Sequence, residues 1–264
     1  MKNMCYDKIN YQDSLVQTIL KRKGPLLRGW FGISMDHKEK NTPAQEKKSG
    51  AENAKSSLTP RQLQARRTKD RIYQSALRII AQTGYKDASI DAITKEAGVS
   101  IGSFYKYFSS KDSLLLHSFV KSGEVYQQAY REVSHLGFPE NLYLFVRLSY
   151  FALEQRGKEV MYGVTSNMLS PEFKERVIAP DRAFFGYMRQ LVQTGKTAGR
   201  LRDSVPTEDY VKRLFTMLTG VEMIWCLTDF QQSLSSMAEA SVRDLMEGML
   251  CREPLPDHSE EGEG

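Results

Sequence analysis

Cysteine is scarce and scattered: Cys5, Cys226 and Cys251 are the only three in 264 residues. This excludes a disulfide framework and a cysteine-built metal site, and it fits a reducing compartment. A cytoplasmic protein with no cofactor and no metal is expected. Histidine is equally thin. His37, His117, His135 and His258 lie far apart, no Cys-His or Ser-His-Asp arrangement suggests itself, and no glycine loop is built to cradle phosphate, so an enzyme is not expected. Long hydrophobic runs are missing as well. Val221–Leu227 is broken by Glu222 and Leu142–Val146 is followed by Arg147, far short of the roughly 20 apolar residues that a membrane span needs. Lys2 and Lys8 imitate the charged start of a secretory signal, but Ile9–Leu20 is interrupted by Asn10, Gln12, Asp13, Ser14 and Gln17, which leaves no apolar stretch to follow it. No segment sustains the two-residue alternation of a strand, and no internal repeat is present, so an all-α fold is expected.

What is present is an ordinary globular composition, 41% hydrophobic and 26% charged, in a chain long enough to bury one or two cores. The formal net charge of +5 favours polyanionic partners where the cations cluster. They cluster at Lys21, Arg22, Lys23 and Arg28, at Lys47 and Lys48, and at Arg61, Arg66, Arg67, Lys69 and Arg71 on the head of a helical pattern. The end of the chain has the opposite sign, with Glu260, Glu261 and Glu263.

Residues 1–58 read as an extension. Ser14–Leu20 suits a short helix, and Leu26, Leu27, Trp30 and Phe31 form a small apolar cluster. From Met35, a second candidate initiator, to Ser57 the aliphatic residues nearly vanish, the composition of a flexible linker. Order begins at Thr59, a candidate N-cap, followed by Pro60 at the first helical position. Ile72, Ala76, Ile79 and Ile80 then recur at i, i+4, i+7 and i+8, one buried stripe of a helix that Gly84 stops. Ser89 caps a short second helix with Ile93 and Ala97 inward, and Gly98 ends it. Ser100 caps a third with Ile101, Phe104 and Phe108 at i, i+3 and i+7, and Ser110 opens a fourth with Asp112 in its first turn. Beyond Pro139 the spacing predicts helices over Glu140–Gln155, Lys158–Met168, Pro171–Thr197 with a break near Pro180, Pro206–Phe230 and Met237–Leu250. The expected organisation is therefore an extension 1–58, a domain of short helices 59–110, a longer helical domain 111–252, and a disordered acidic tail 253–264.

The block from Ala88 to Leu115 carries the chemistry. Two short helices joined by a turn at Gly98 make a helix-turn-helix, whose second helix enters a DNA major groove. Gly102 and Ser103 keep the surface of that helix small, and its first amides suit a phosphate. Tyr105, Tyr107 and Lys111 add hydroxyl and ammonium donors. The stretch Ile93 to Leu115, with Ala97-Gly98-Val99-Ser100, Gly102-Ser103-Phe104-Tyr105, Tyr107-Phe108 and Lys111, resembles the TetR family of one-component regulators over roughly residues 60–120. The resemblance implies an N-terminal three-helix, homeodomain-like DNA-binding domain and a C-terminal helical bundle. It implies phosphate contacts from Ser89, Ser100, Tyr105, Tyr107 and Lys111, and base-edge contacts from Ile101, Gly102, Ser103 and Lys106. Thr94 departs from the family's small Ala and must be accommodated, and Asp91 stands where some members place a DNA-binding cation. Phe104 and Phe108 are core residues on any reading, and the cations of residues 61–71 read equally as a solvated face or as phosphate contacts.

Aromatic and thioether side chains populate the C-terminal part. Arg147, Tyr150, Phe151, Tyr162, Met168, Phe185 and Trp225 are candidates for a pocket that takes a small hydrophobic or aromatic effector, with plain core packing as the rival reading of each apolar one. Arg147 and Glu222 are charges among apolar neighbours and need a partner or a ligand. The resemblance assigns the last two long helices to a homodimer interface, and Leu214, Leu218, Val221, Trp225, Leu245 and Met249 offer apolar faces for it. The expectation is a dimeric repressor of double-stranded DNA, released from a palindromic operator by its effector and independent of membranes. A ligand-independent architectural DNA binder and a thiol-responsive regulator using Cys226 are the alternatives.

Overall fold

The computed structural model describes residues 59–250. The extension 1–58, with the short helix expected at Ser14–Leu20, and the acidic tail 253–264 lie outside the described residues. Ten helices follow one another among the described residues: α1 Pro60–Thr83, α2 Ile90–Ala97, α3 Ile101–Tyr107, α4 Lys111–Val133, α5 Glu140–Glu154, α6 Lys158–Ser166, α7 Pro171–Val177, α8 Ala183–Thr197, α9 Thr207–Leu227 and α10 Leu234–Glu247. The fold is all-α. The only extended pairing among the described residues is an isolated antiparallel bridge between Leu201 and Leu250. The chain divides into two compact units after Leu114.

The first unit is assembled from its caps. Thr59 accepts from the Gln62 amide at 3.3 Å while the Gln62 side chain accepts from the Thr59 amide at 2.8 Å, a reciprocal box that fixes the start of α1. Ser89 Oγ accepts from the Ala92 amide at 3.1 Å and starts α2. Gly98 takes a left-handed conformation, φ 61°, which an L side chain would resist, and so turns the chain from α2 into α3. Ile72, Tyr73 and Ala76 of α1, Ile93 and Ala97 of α2, and Phe104 and Phe108 at α3 close one core with Leu114. Each of the two phenyl rings contributes about 1.5–3 kcal/mol by leaving water. Thr94 is buried with its hydroxyl donating to the Asp91 carbonyl at 3.0 Å, so this departure from small Ala costs no unpaired polar group.

In the second unit α5 is central: ten of its residues are buried, and it is apolar on nearly all sides, as a helix packed all round must be. Its neighbours include α6, α8 and α10, and α9 packs on α7's neighbour α6, on α8 and on α10. Pro180 breaks Pro171–Thr197 into α7 and α8 as expected. The last helix begins at Leu234, three residues before the expected start, because Ser233 Oγ accepts from the Ser236 amide at 3.4 Å and Leu234 is fully buried. α6 ends at Ser166 because the Asn167 side chain donates to the Gly163 carbonyl at 2.8 Å and closes the turn.

α8 has two glycines with opposite surroundings. A Cβ on Gly195 would sit 2.8 Å from the buried Phe138 ring, whereas one on Gly186 would meet nothing within 4 Å. Gly195→Ala should therefore destabilise the protein by about 1–3 kcal/mol through overpacking, and Gly186→Ala should stabilise it by about 0.5–1 kcal/mol through helix propensity. Thermal melts of the two variants, expected to move in opposite directions, check this.

Candidate nucleic-acid interface and cavity

α3 has two faces. Phe104 and Phe108 hold its inner face in the core, and Ser103 and Tyr107 are half-buried, Tyr107 packing against that core. The outer face carries Ser100, Ile101, Gly102, Tyr105 and Lys106, all exposed, with Ile101 at 48% and Tyr105 at 54%. Ile101 and Tyr105 form one i, i+4 stripe and Gly102 and Lys106 the next. Ser100 Oγ accepts from the Ser103 amide at 3.2 Å and lies 3.0 Å from Ser103 Oγ, so two of the sequence candidates are joined at the start of the helix. A Cβ on Gly102 would meet nothing nearer than Ser100 Oγ at 3.9 Å; the space outside it is open to a close-approaching partner. The Lys106 ammonium stands 5.7 Å from the centre of the Tyr107 ring. Ser89, exposed at the start of α2, is the capping residue of that helix.

Lys111 is placed differently from the expected phosphate contact. Its ammonium donates to the carbonyls of Tyr85 at 2.6 Å, Lys86 at 3.1 Å and Ala88 at 3.0 Å, and it lies 4.6 Å from the centre of the Tyr85 ring. An ammonium has three donors, and here all three are used on the loop between α1 and α2. Next to it, the Tyr85 hydroxyl donates to the Asp112 carboxylate. Lys111 and Asp112 thus clamp that loop to the first turn of α4.

In the second unit a small cavity of about 30 Å³, partly open to solvent, is lined by residues of α4, α5, α6, α7 and α9 and of the segments beside them. Its walls mix apolar groups such as Met161, Met168 and Phe215 with Arg156, Arg182, Thr219 and Glu222. Arg156 is buried and donates to Ser122 Oγ at 2.6 Å. Arg182 donates to the Val177 carbonyl and stands 5.3 Å and 5.9 Å from the ring centres of Phe185 and Phe215. The Tyr150 hydroxyl donates to Glu222 Oε1 at 2.8 Å. Burial pushes the Glu222 carboxyl above the usual glutamate range, against the opposing pull of the Tyr150 hydrogen bond and of Arg182.

Of the seven effector candidates, Met168 lines this cavity, Tyr150 reaches it through Glu222, and Phe185 stands behind Arg182. Arg147 does not belong to it. Its guanidinium pairs with Glu239 of α10 at 2.9 Å, and Glu239 also holds Arg243 at 2.7 Å, so this charge on an apolar helix is an internal strut. Trp225 donates to the Gln232 carbonyl at 2.7 Å and packs edge-on against Phe230. Tyr162 is exposed, and Phe151, half-buried, is not among the lining residues. Arg156 and Arg182 went unnoticed in the sequence because both lie just outside helices, among residues that signal only loops. Burial raises the Cys226 thiol, assisted by Glu222 and opposed by its Thr165 contact; this is the direction of an unreactive cysteine. No group of three metal-ligating side chains and no helix long and apolar enough to cross a membrane occurs among the described residues.

Residues 72–117 match the family model for bacterial regulatory proteins, tetR family. The chain is 18% identical over 181 residues to the fatty acid metabolism regulator protein of Bacillus subtilis, covering 67% of this chain and 93% of the relative. A solved structure of FadR from Bacillus subtilis with stearoyl-CoA matches with a TM-score of 0.58 at 18% identity, covering 68% of this chain and 98% of the other. Thermus thermophilus FadR, a TetR-family repressor solved with lauroyl-CoA, matches with a TM-score of 0.58 at 23% identity, covering 71% and 98%. At these identities the structural likeness establishes the fold.

Two predictions rest on this geometry. Lys111→Met should cost about 1.5–3 kcal/mol, the value of hydrogen bonds to a charged group, and should leave the salt dependence of DNA binding unchanged; a slope shallower by about 0.9 would make Lys111 a phosphate contact instead. For Glu222 the folded carboxyl titrates above its unfolded value, so stability falls as pH rises from the ordinary glutamate range through the folded one. Glu222→Gln should melt close to the unaltered protein at and below the ordinary glutamate range and increasingly above it as the pH rises beyond that range.

Proposed function

The chain is a transcriptional regulator belonging to the tetR family of bacterial regulatory proteins, and from that premise we propose that it is a homodimeric repressor of a palindromic operator, released by a small-molecule effector. The observation that carries the reading is the two-faced α3: its inner rings are sunk in the core while Ile101, Gly102, Tyr105 and Lys106 stand outward. In this reading α3 lies in the major groove. Ile101, Gly102, Ser103 and Lys106 meet base edges, and Ser89, Ser100, Tyr105 and Tyr107 meet phosphates on either side. Lys111 acts at one remove by holding the α1–α2 loop.

Dimerisation is supported by α9, where Met223, Ile224 and Leu227 are 40%, 50% and 70% exposed, an apolar stripe at i, i+1 and i+4 that water does not favour. Two copies of α9 and α10 in a four-helix contact would cover it. Two α3 helices one DNA turn apart would then read a palindrome.

The effector we assign to the cavity has an apolar body, for Met161, Met168 and Phe215, and a polar or anionic head, for Arg156 and Arg182. Lauroyl-CoA and stearoyl-CoA, which relatives of the same fold hold, combine these two chemistries and are the first probes. An effector that favours a conformation unfit for the operator must by linkage weaken DNA binding. The protein is assigned to the cytoplasm, where operator and acyl thioester meet. The alternatives are less favoured: an architectural binder has no use for a polar-lined cavity, and the Cys226 thiol is shifted away from reactivity.

The test begins with selection of bound duplexes from a random pool. A palindromic sequence preferred at least about a thousandfold over random DNA is expected, and equal affinity for both would reduce the protein to an architectural binder. Ser103→Ala should change the preferred sequence, and Ile224→Lys with Leu227→Lys should yield folded monomers with little operator affinity. Lauroyl-CoA should release the operator from the unaltered protein, and Arg182→Gln should need more of it. If every acyl-CoA and aromatic compound tried leaves operator affinity untouched, the effector reading fails.

A further inference from the structure

The helix that leads into the DNA-binding unit starts long before its core does. α1 begins at Pro60, yet its first buried residue is Ile72. The three turns between carry Arg61, Arg66, Arg67, Lys69 and Arg71 against a single acid, Asp70. Apolar burial does not hold these turns; the box between Thr59 and Gln62, with Pro60 behind it, fixes them as helix from the far end. What they offer is positive charge on a defined scaffold, upstream of the 72–117 stretch that the family model matches.

Their position is given by Lys69. Its ammonium stands 5.4 Å from the centre of the Phe108 ring, and Phe108 is the residue that ends α3. Lys69, at the inner end of the basic turns of α1, therefore stands beside the end of the same helix that is proposed to read DNA. Arg66, three residues earlier and exposed, lies on the same side of α1 one turn further out.

We propose that Arg66 and Lys69 grip the phosphate backbone of the duplex that α3 reads, so that the DNA footprint extends beyond the helix-turn-helix onto the start of α1. The proposal rests on the DNA-binding reading above. Duplex DNA is the occupant because the cations adjoin the end of α3, and a polyanion of regular charge spacing complements several cations on one helix. Such contacts carry no sequence information; they add affinity and salt dependence and fix the angle at which α3 enters the groove.

The experiment uses the full chain, a duplex selected by the unaltered protein from a random pool, and a random-sequence duplex, each titrated over a series of salt concentrations. Arg66→Gln combined with Lys69→Gln should weaken binding to both duplexes by the same factor, roughly tenfold or more near 0.1 M salt, and should make the plot of log affinity against log salt shallower by about 1.8 per bound protomer. Lys158→Gln combined with Lys174→Gln, two exposed lysines of the second unit, removes the same charge and should leave the slope alone. Arg66→Gln by itself should give about half the change, which keeps the test decisive if the double variant fails to fold. An unchanged slope, or a loss confined to the selected duplex, would overturn the proposal while leaving DNA binding by α3 intact. Failure of the unaltered protein to bind either duplex would remove the underlying reading instead.

Discussion

The burial of Phe104 and Phe108 is the constraint from which the rest follows. A seven-residue helix cannot hold its shape in water by its own hydrogen bonds; α3 exists because these two rings lock it onto α1 and α2 and because Ser100 caps its start. Anchoring one face by aromatic rings leaves the opposite face free to be chosen for a partner. There the side chains are small or polar except for Ile101 and Tyr105, whose exposure is hard to explain by packing.

Around this helix the protein uses hydrogen bonding where apolar burial runs short. The α1–α2 loop contributes three carbonyls to one ammonium, that of Lys111, and the neighbouring Tyr85–Asp112 bond closes the same joint. In the second unit the charges on or near apolar helices follow two patterns. Arg147 is neutralised by Glu239 within the fold, whereas Arg156, Arg182 and Glu222 line one cavity. The first pattern is architecture. The second is the arrangement expected of a ligand site, where polar groups fix the orientation of a mostly apolar guest.

The features legible in the sequence were the local ones. Thr59, Ser89, Gly98 and Ser100 announce helix ends because a cap is decided within four residues, and Phe104 and Phe108 announce a buried face by their spacing alone. The helix-turn-helix was therefore readable almost residue by residue, although Ile101, which shares the spacing of Phe104 and Phe108, stands outward and Tyr107 turns partly into the core. Partners distant in the chain were not. Lys111 meets carbonyls some 23 to 26 residues away, and Arg147 meets a carboxylate 92 residues away; nothing in the neighbourhood of either residue tells a structural strut from a ligand contact. Glu222 stood out because it interrupts an apolar run, but Arg156 and Arg182 sit in segments where an arginine attracts no notice.

Amide hydrogen exchange of the full chain, with and without its selected duplex, tests the central claim most directly. The first amides of α3, at Ile101 and Gly102, lie on the outward face and precede the intrahelical bonding pattern, so they should slow markedly on adding DNA, while the core amides of α5 stay as they were. DNA binding that protects other surfaces and leaves these amides exchanging at their free rate would contradict the account.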